Sequence, residues 1–284
     1  MGSTPSRGLI LLMILPGAGF ILFFLASAIG MTIAQSFGLY AVVGQSHFTL
    51  DYWIGLFDKT FIDSFLFSLK IGVGSAVGAL IFAYPLALFL RKQRPGSGWI
   101  SAWVKVPLFV PALVAAFLIV NMLAYQGLLN SALLYLHIID QPLRMLNDKF
   151  GWNVFLIQVW KNLPFQLVIL TSVLQTIRGD IEDAARNLGA GPIAVIRHII
   201  LPLSMPGIMI SVALVFILTF GDYAITRVAG PIYPTSLSVL MYTAAFTLHD
   251  WATAACIGVV IVVTSLVFVA LYARTVRAIE SLAQ

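Results

Sequence analysis

The chain has 284 residues, 60% hydrophobic and 10% charged, with mean hydropathy +0.99, formal net charge +5 and a pI near 9.4. Soluble domains are nearer half apolar and a quarter charged, so an ordinary soluble globular domain is excluded, and the basic balance reads as membrane topology rather than nucleic-acid binding. The one cysteine, Cys256, excludes an intrachain disulfide and reads as a small packing residue in an apolar run.

No Asp, Glu, Lys or Arg falls between Arg7 and Asp51, between Lys105 and Asp140, or between Asp250 and Arg274. A helix crosses a bilayer with about 20 apolar residues, so the pattern predicts an all-α polytopic membrane protein with six transmembrane helices. The first, near 9–35, follows Arg7. It outruns the ~7–15 residues of a signal core and lacks a small-x-small cleavage site. The opening Met-Gly-Ser-Thr is only a weak match to a myristoylation start. The second span, near 62–90, carries Gly72, Gly74 and Gly78 with no Lys-Ser/Thr after them. That spacing predicts a close helix–helix contact rather than a phosphate loop. Further spans are expected near 102–126, 151–175, 205–227 and 250–273, in one domain covering 1–284, with a polar loop at 176–204.

Charge then orients the chain. One side receives Arg7, then Arg91, Lys92, Arg94 and Lys105, then Arg178, Arg186 and Arg197, then Arg274 and Arg277. The other receives Lys59, Arg144, Lys149 and Arg227 beside Asp51, Asp58, Asp140 and Asp148. Positive residues mark the cytoplasmic face, which puts both termini and the 176–204 loop there.

Enzyme readings find little support. No GxxxxGK[ST] occurs, so the chain is not expected to hydrolyse a nucleotide by itself. Ser75 is the one candidate for an intramembrane nucleophile, but His47, His137 and His249 fall at the outer boundary and His198 on the cytoplasmic side. No catalytic residue is assigned, and no His/Cys/carboxylate cluster has metal-ligand spacing. Ionisable residues at membrane depth are pathway candidates by default: Lys70, Lys161 beside Trp160, and Asp222 beside Tyr223, with Phe165 nearby. Snorkelling or an internal ion pair would equally account for Lys70 and Lys161, and Asp222 would equally cap the end of the fifth span. Aromatic Trp160, Phe165 and Tyr223 suit an amine through cation–π contact; two lysines suit an anion. The sign of the substrate stays open.

The loop "IEDAARNLGAGPIAVIRHIILPLSMPG" is the polar exception. Asp180 is placed to cap a first turn, with Glu182 and Asp183 where the helix dipole favours negative charge. Ile181, Ala184, Ala185 and Leu188 share a face at helical spacing. Gly189 or Gly191 suits the left-handed turn that ends a helix. Pro192 opens a second helix with Ile193, Ile196 and Ile200 as its apolar stripe. Arg197 and His198 are expected at that helix's C-terminal end, and Pro202 at a break into the fifth span. The result is a helix-turn-helix with a glycine elbow. Its acids and membrane tether argue against a DNA-binding motif, and its small alanines suit a protein partner better than a lipid surface.

The spacing Asp183-Ala184-Ala185-Arg186-Asn187-Leu188-Gly189, then Ile199-Ile200-Leu201-Pro202, resembles the E-A-A-x3-G-x9-I-x-L-P motif of binding-protein-dependent ABC importer permeases, with Asp183 in place of the usual glutamate. The resemblance extends over nearly the whole chain and looks closest to the spermidine/putrescine permease subclass. Phe48-Thr49-Leu50-Asp51-Tyr52, Tyr84-Pro85-Leu86-Ala87, Ile139-Asp140-Gln141-Pro142-Leu143-Arg144 and the run from His249 to Gly258 carry that second step. Subclasses importing iron, phosphonates or opines share parts of these stretches. The resemblance implies that the loop is a coupling helix docking on an ATP-binding subunit through Glu182, Asp183, Ala184, Ala185, Arg186, Leu188, Gly189, Ile199, Leu201 and Pro202. It also implies two ATPase subunits that use ATP and magnesium, no cofactor on this chain, and an extracytoplasmic solute-binding protein docking near 38–60, 127–150 and 228–250. A second permease is implied too, in a heterodimer or a homodimer, in a bacterial inner membrane. A secondary transporter and an intramembrane enzyme are the competing classes.

Overall fold

A computed structural model describes residues 7–42, 45–92 and 95–282, with side chains over 13–42, 45–92 and 95–275. Arg94, the side chains of Arg7 and Arg277, and the Met-Gly-Ser-Thr start lie outside the described residues. Every regular element among the described residues is helical. In chain order they are α1 (Arg7–Ser36), α2 (Asp51–Leu56), α3 (Lys59–Leu90), α4 (Ser97–Phe109), α5 (Ala112–Leu123), α6 (Leu128–Tyr135) and α7 (Trp152–Thr176). There follow α8 (Gly179–Asn187), α9 (Pro192–Val195), a π-turn (Ile196–Ile200), α10 (Leu201–Phe220), α11 (Ala224–Ala229), α12 (Leu237–Tyr242), a second π-turn (Thr243–Thr247) and α13 (Trp251–Leu282). Among the described residues six segments are long and apolar enough to cross a membrane: 13–36, 59–90, 112–135, 152–176, 192–220 and 251–275.

Two of these differ from the sequence reading. The third span lies at 112–135 rather than near 102–126, because Val110 is extended, at φ −87 and ψ 119, and separates α4 from α5. Proline disfavours the α region in the residue before it, and Pro111 imposes that here. The fifth span begins at Pro192 rather than near 205, and Pro202 does not break it. The π-turn just before Pro202 absorbs the ring: Leu201 N–H bonds to Ile196 five residues back, a register that widens the helix where the proline would collide with a carbonyl. Arg197 and His198 therefore sit inside a continuous helix, not at a C-terminus. At its other end the span stops at Phe220, not 227, and α11 is a separate short helix.

The chain divides into two compact units, Met1–Asp58 with Leu240–Val262 and Lys59–Val239 with Val263–Gln284. In the first, the large apolar side chains of α1, from Met13 to Leu25, are exposed, the surface expected of a helix facing lipid. The following loop returns on the end of α1, with Thr49 N–H on the Phe37 carbonyl at 3.0 Å and Phe48 stacked on Phe37. Asp250 caps α13 through Thr253 N–H at 3.0 Å. Buried Cys256 donates to the Ser36 carbonyl at 3.4 Å, a packing role.

In the second unit α3 packs along α7 and α10. Its glycines permit this: a Cβ at Gly78 would stand 2.8 Å from Val159, and one at Gly72 would stand 3.0 Å from Phe216. The helix–helix reading of Gly72, Gly74 and Gly78 is thus what the structure shows. The interface between these helices is polar in places, as membrane interiors allow while lipid-facing surfaces do not. Asn162 Nδ2 donates to Gln158 Oε1 at 3.0 Å and faces Thr219 Oγ1 at 3.4 Å, and Gln166 Nε2 reaches the Ala76 carbonyl and Ser211, each at 3.3 Å. One end of the bundle closes over an apolar cluster of Ala83, Ala87 and Leu90 from α3, Leu167, Leu170 and Leu174 from α7, and Val195, Ile200 and Ile208.

Candidate functional site

The 176–204 segment folds against that cluster. The glycine elbow is a Schellman turn: Gly189 N–H bonds to Arg186 at 2.9 Å, Ala190 N–H to Ala185 at 3.0 Å, and Gly189 adopts φ +87. A Cβ at Gly189 would meet no atom within 4 Å, so glycine is required by the left-handed backbone and not by crowding. Gly191 precedes Pro192 at the first turn of α9, the position where proline's fixed φ suits a helix start.

The start of α8 differs from expectation. Arg178 occupies the N-cap without a side-chain cap, and Asp180 lies within the first turn. The Asp180 carboxylate is taken by Arg178, whose Nε donates at 3.2 Å, and by Ile181 N–H at 3.1 Å.

The orientation of α8 also corrects the sequence reading. Glu182, placed among the docking residues, is turned inward and only 3% exposed. It forms a buried ion pair with Arg91, with Lys92 Nζ and Arg186 Nη2 each at 3.6 Å. Ala185 is half-buried against the apolar cluster, as are Ile199 and Leu201, while Ile200 is buried. Those residues hold the hairpin down. Ile181, Ala184 and Leu188 face outward, and Leu188 is 90% exposed. Of the apolar stripe on the second helix, Ile193 is 79% exposed and Ile196 is exposed as well. Asp183, Arg186, Gly189 and Pro202 are also at the surface. The hairpin thus presents apolar side chains to the outside while a buried carboxylate anchors its inner face. A soluble amphipathic helix shows the reverse.

The pathway candidates are not brought together. Lys161 Nζ donates to the Pro107 carbonyl at 2.6 Å. That carbonyl would normally accept from residue 111, which is a proline without an N–H. The carbonyl accepts from Val110 N–H at 3.3 Å instead, and Lys161 adds a second, charged donor. Lys161→Met leaves this carbonyl short of its charged donor, and we expect it to lower stability by about 1–3 kcal/mol, read as a lowered melting temperature in detergent. Asp222 accepts from Ile225 N–H at 2.9 Å and Thr226 N–H at 3.2 Å, so it caps α11 rather than the fifth span. Lys161 and Asp222 share no partner in these bonds. Tyr223 is half-buried at the N-cap of α11 and Phe165 is half-buried on α7. Trp160 is exposed and borders an open apolar groove with Phe82, Pro85, Trp103 and Pro107. Lys70 lies over the rings of Phe150 at 4.2 Å and Phe67 at 5.1 Å, a cation–π contact that gives the charge a local role.

Sequence reasoning missed the polar seam of Gln158, Asn162 and Gln166 on α7. Their four-residue spacing on one face of an apolar span was the available signal. It also missed Arg91, whose partner lies far along the chain. Among the described residues no group of three or more His, Cys, Asp or Glu is placed to hold a metal ion.

Six spans and a loop built on this motif spacing define a multi-pass permease. Residues 75–281 match the family described as binding-protein-dependent transport system inner membrane component, and the chain belongs to it. The chain is similar to the spermidine/putrescine transport system permease protein PotB of Escherichia coli (strain K12), 26% identical over 234 residues, covering 81% of this chain and 83% of that protein. It is similar as well to the putative 2-aminoethylphosphonate transport system permease protein PhnU of Salmonella typhi, 28% identical over 216 residues, covering 75% and 74%. The fold matches a chain of the bacterial alginate ABC transporter in complex with alginate pentasaccharide-bound periplasmic protein, at TM-score 0.74 and 20% identity over 95% and 94% of the two chains. It also matches a chain of the MetNI methionine ABC transporter, at TM-score 0.62 and 17% identity over 80% and 97%.

Proposed function

We propose that this chain is one permease half of an ATP-driven importer, and that the outward face of the α8–α9 hairpin docks on a separate ATP-binding subunit. The observation that carries the reading is the inversion of the hairpin. Leu188 and Ile193 stand exposed while Glu182 is buried, an arrangement that makes sense when a protein partner covers the apolar side. Charge supports a cytoplasmic hairpin with both termini on the same side, since Arg91, Lys92, Arg178, Arg186 and Arg197 fall at that end. The remaining partners are a second ATPase copy, a second and distinct permease subunit, and an extracytoplasmic binding protein that delivers the solute.

The solute we propose is a polyamine. The support is the run of similarity to spermidine/putrescine permeases over four-fifths of the chain; neither Lys161 nor Asp222 argues for either sign, because each has a structural partner. The test is uptake of radiolabelled putrescine into proteoliposomes holding the chain with its partner permease, ATPase and binding protein. The expected result is accumulation that requires ATP and the binding protein, while 2-aminoethylphosphonate is not accumulated. Accumulation of the phosphonate instead would overturn the substrate. Proton-driven uptake by this chain alone would overturn the class.

A further inference from the structure

Helix α8 is joined to its neighbours at two breaks in the helical backbone. Ile177 and Arg178, between α7 and α8, are both extended, at ψ 118 and ψ 135. On the other side the chain passes through the glycine elbow of Gly189 and Gly191. A displacement of α8 is therefore not carried along a continuous helix at either end, and a side-chain tie adds a direct route. The Glu182 carboxylate supplies that tie. Its side chain is 4% exposed and that of its partner Arg91 is 7% exposed. Arg91 follows directly on the last turn of α3, its N–H still bonded to the Ala87 carbonyl at 2.9 Å. Lys92 and Arg186 stand at 3.6 Å and complete the ring of positive charge.

Buried ion pairs are weak devices for stability, because desolvation offsets most of their attraction; their best-attested use is to fix a register. We infer that Glu182 and Arg91 are positioning residues that clamp the docking helix α8 to the end of the second span. Movement imposed on α8 then reaches α3 directly, not only through its chain neighbours α7 and α10. From there the glycine contacts of α3 carry it to Val159 and Phe216. The inference rests on the docking reading above.

Removing one charge strands the other, so the test variant is the doubly neutral Arg91→Gln/Glu182→Gln, with Arg91→Glu/Glu182→Arg as the rescue. Spin labels at exposed Phe82 and Asn187 report the separation of α3 and α8 in the complex with its ATPase subunits, with and without MgATP and vanadate. The native pair is expected to keep one narrow distance in both states. The neutral double variant should lose it on nucleotide trapping while still co-purifying with the ATPase, and the swapped pair should regain it. A native distance that shifts on trapping, or a neutral variant that stays narrow, overturns the clamp. Retained co-purification in that case leaves the docking reading standing; loss of co-purification from the native complex would instead strike the docking reading itself.

Discussion

Leu188→Glu is expected to abolish retention of the ATPase subunits while leaving the permease folded and inserted. The native side chain is 90% exposed, so the substitution disturbs no packing within the chain. It does put a charge at the centre of the apolar face formed with Ile181 and Ala184, where Asp183 is already near. Loss of a buried interface anchor costs about 2–4 kcal/mol, or roughly 30- to 1000-fold in affinity at about 1.4 kcal/mol per tenfold. Co-elution of the ATPase subunits on affinity purification reads this directly. Leu188→Met keeps the apolar contact and should co-elute normally. Normal co-elution of the glutamate variant would remove α8 from the docking surface.

Arg91→Leu is expected to produce the largest loss of stability. It leaves the Glu182 carboxylate buried beside Lys92 and Arg186, both at 3.6 Å and both about half exposed. Breaking a buried pair from one side costs about 3–5 kcal/mol, and the two remaining cations place the effect toward the lower end. Thermal unfolding in detergent should show a clearly lowered midpoint. Lys92→Ala should fall within about 1 kcal/mol of the native protein, as for other partly solvated pairs. Equal effects of the two substitutions would contradict the assignment of Arg91 as the principal partner.

These two residues also mark where sequence reading succeeded and where it stopped. The six spans were legible because long apolar runs, several of them free of charge, are what a bilayer-crossing helix needs. The elbow was legible because Gly189 must be left-handed and proline follows it. The facing of α8 was legible only in part. Ile181, Ala184 and Leu188 face outward, as a partner-facing stripe would, but Glu182 turns inward because Arg91 waits there from a segment about ninety residues away. The prolines show the same limit. Pro85, Pro164 and Pro206 lie inside intact helices while Pro111 separates two. Each proline removes the same backbone N–H, so the sequence pattern does not separate the one that breaks a helix from those that do not. Lys161 looked like a pathway residue, and its Nζ donates to the backbone carbonyl of Pro107.

The outer face of the hairpin is expected to touch the ATPase. Photo-crosslinking in membranes tests it most directly, with benzoylphenylalanine placed at Leu188, at Ile193, at inward-facing Ala185, and at exposed Phe109 as the control. Permease–ATPase adducts are expected from 188 and 193 and none from 185 or 109. Adducts from 109, or none from 188 and 193 in a complex that hydrolyses ATP, would contradict it.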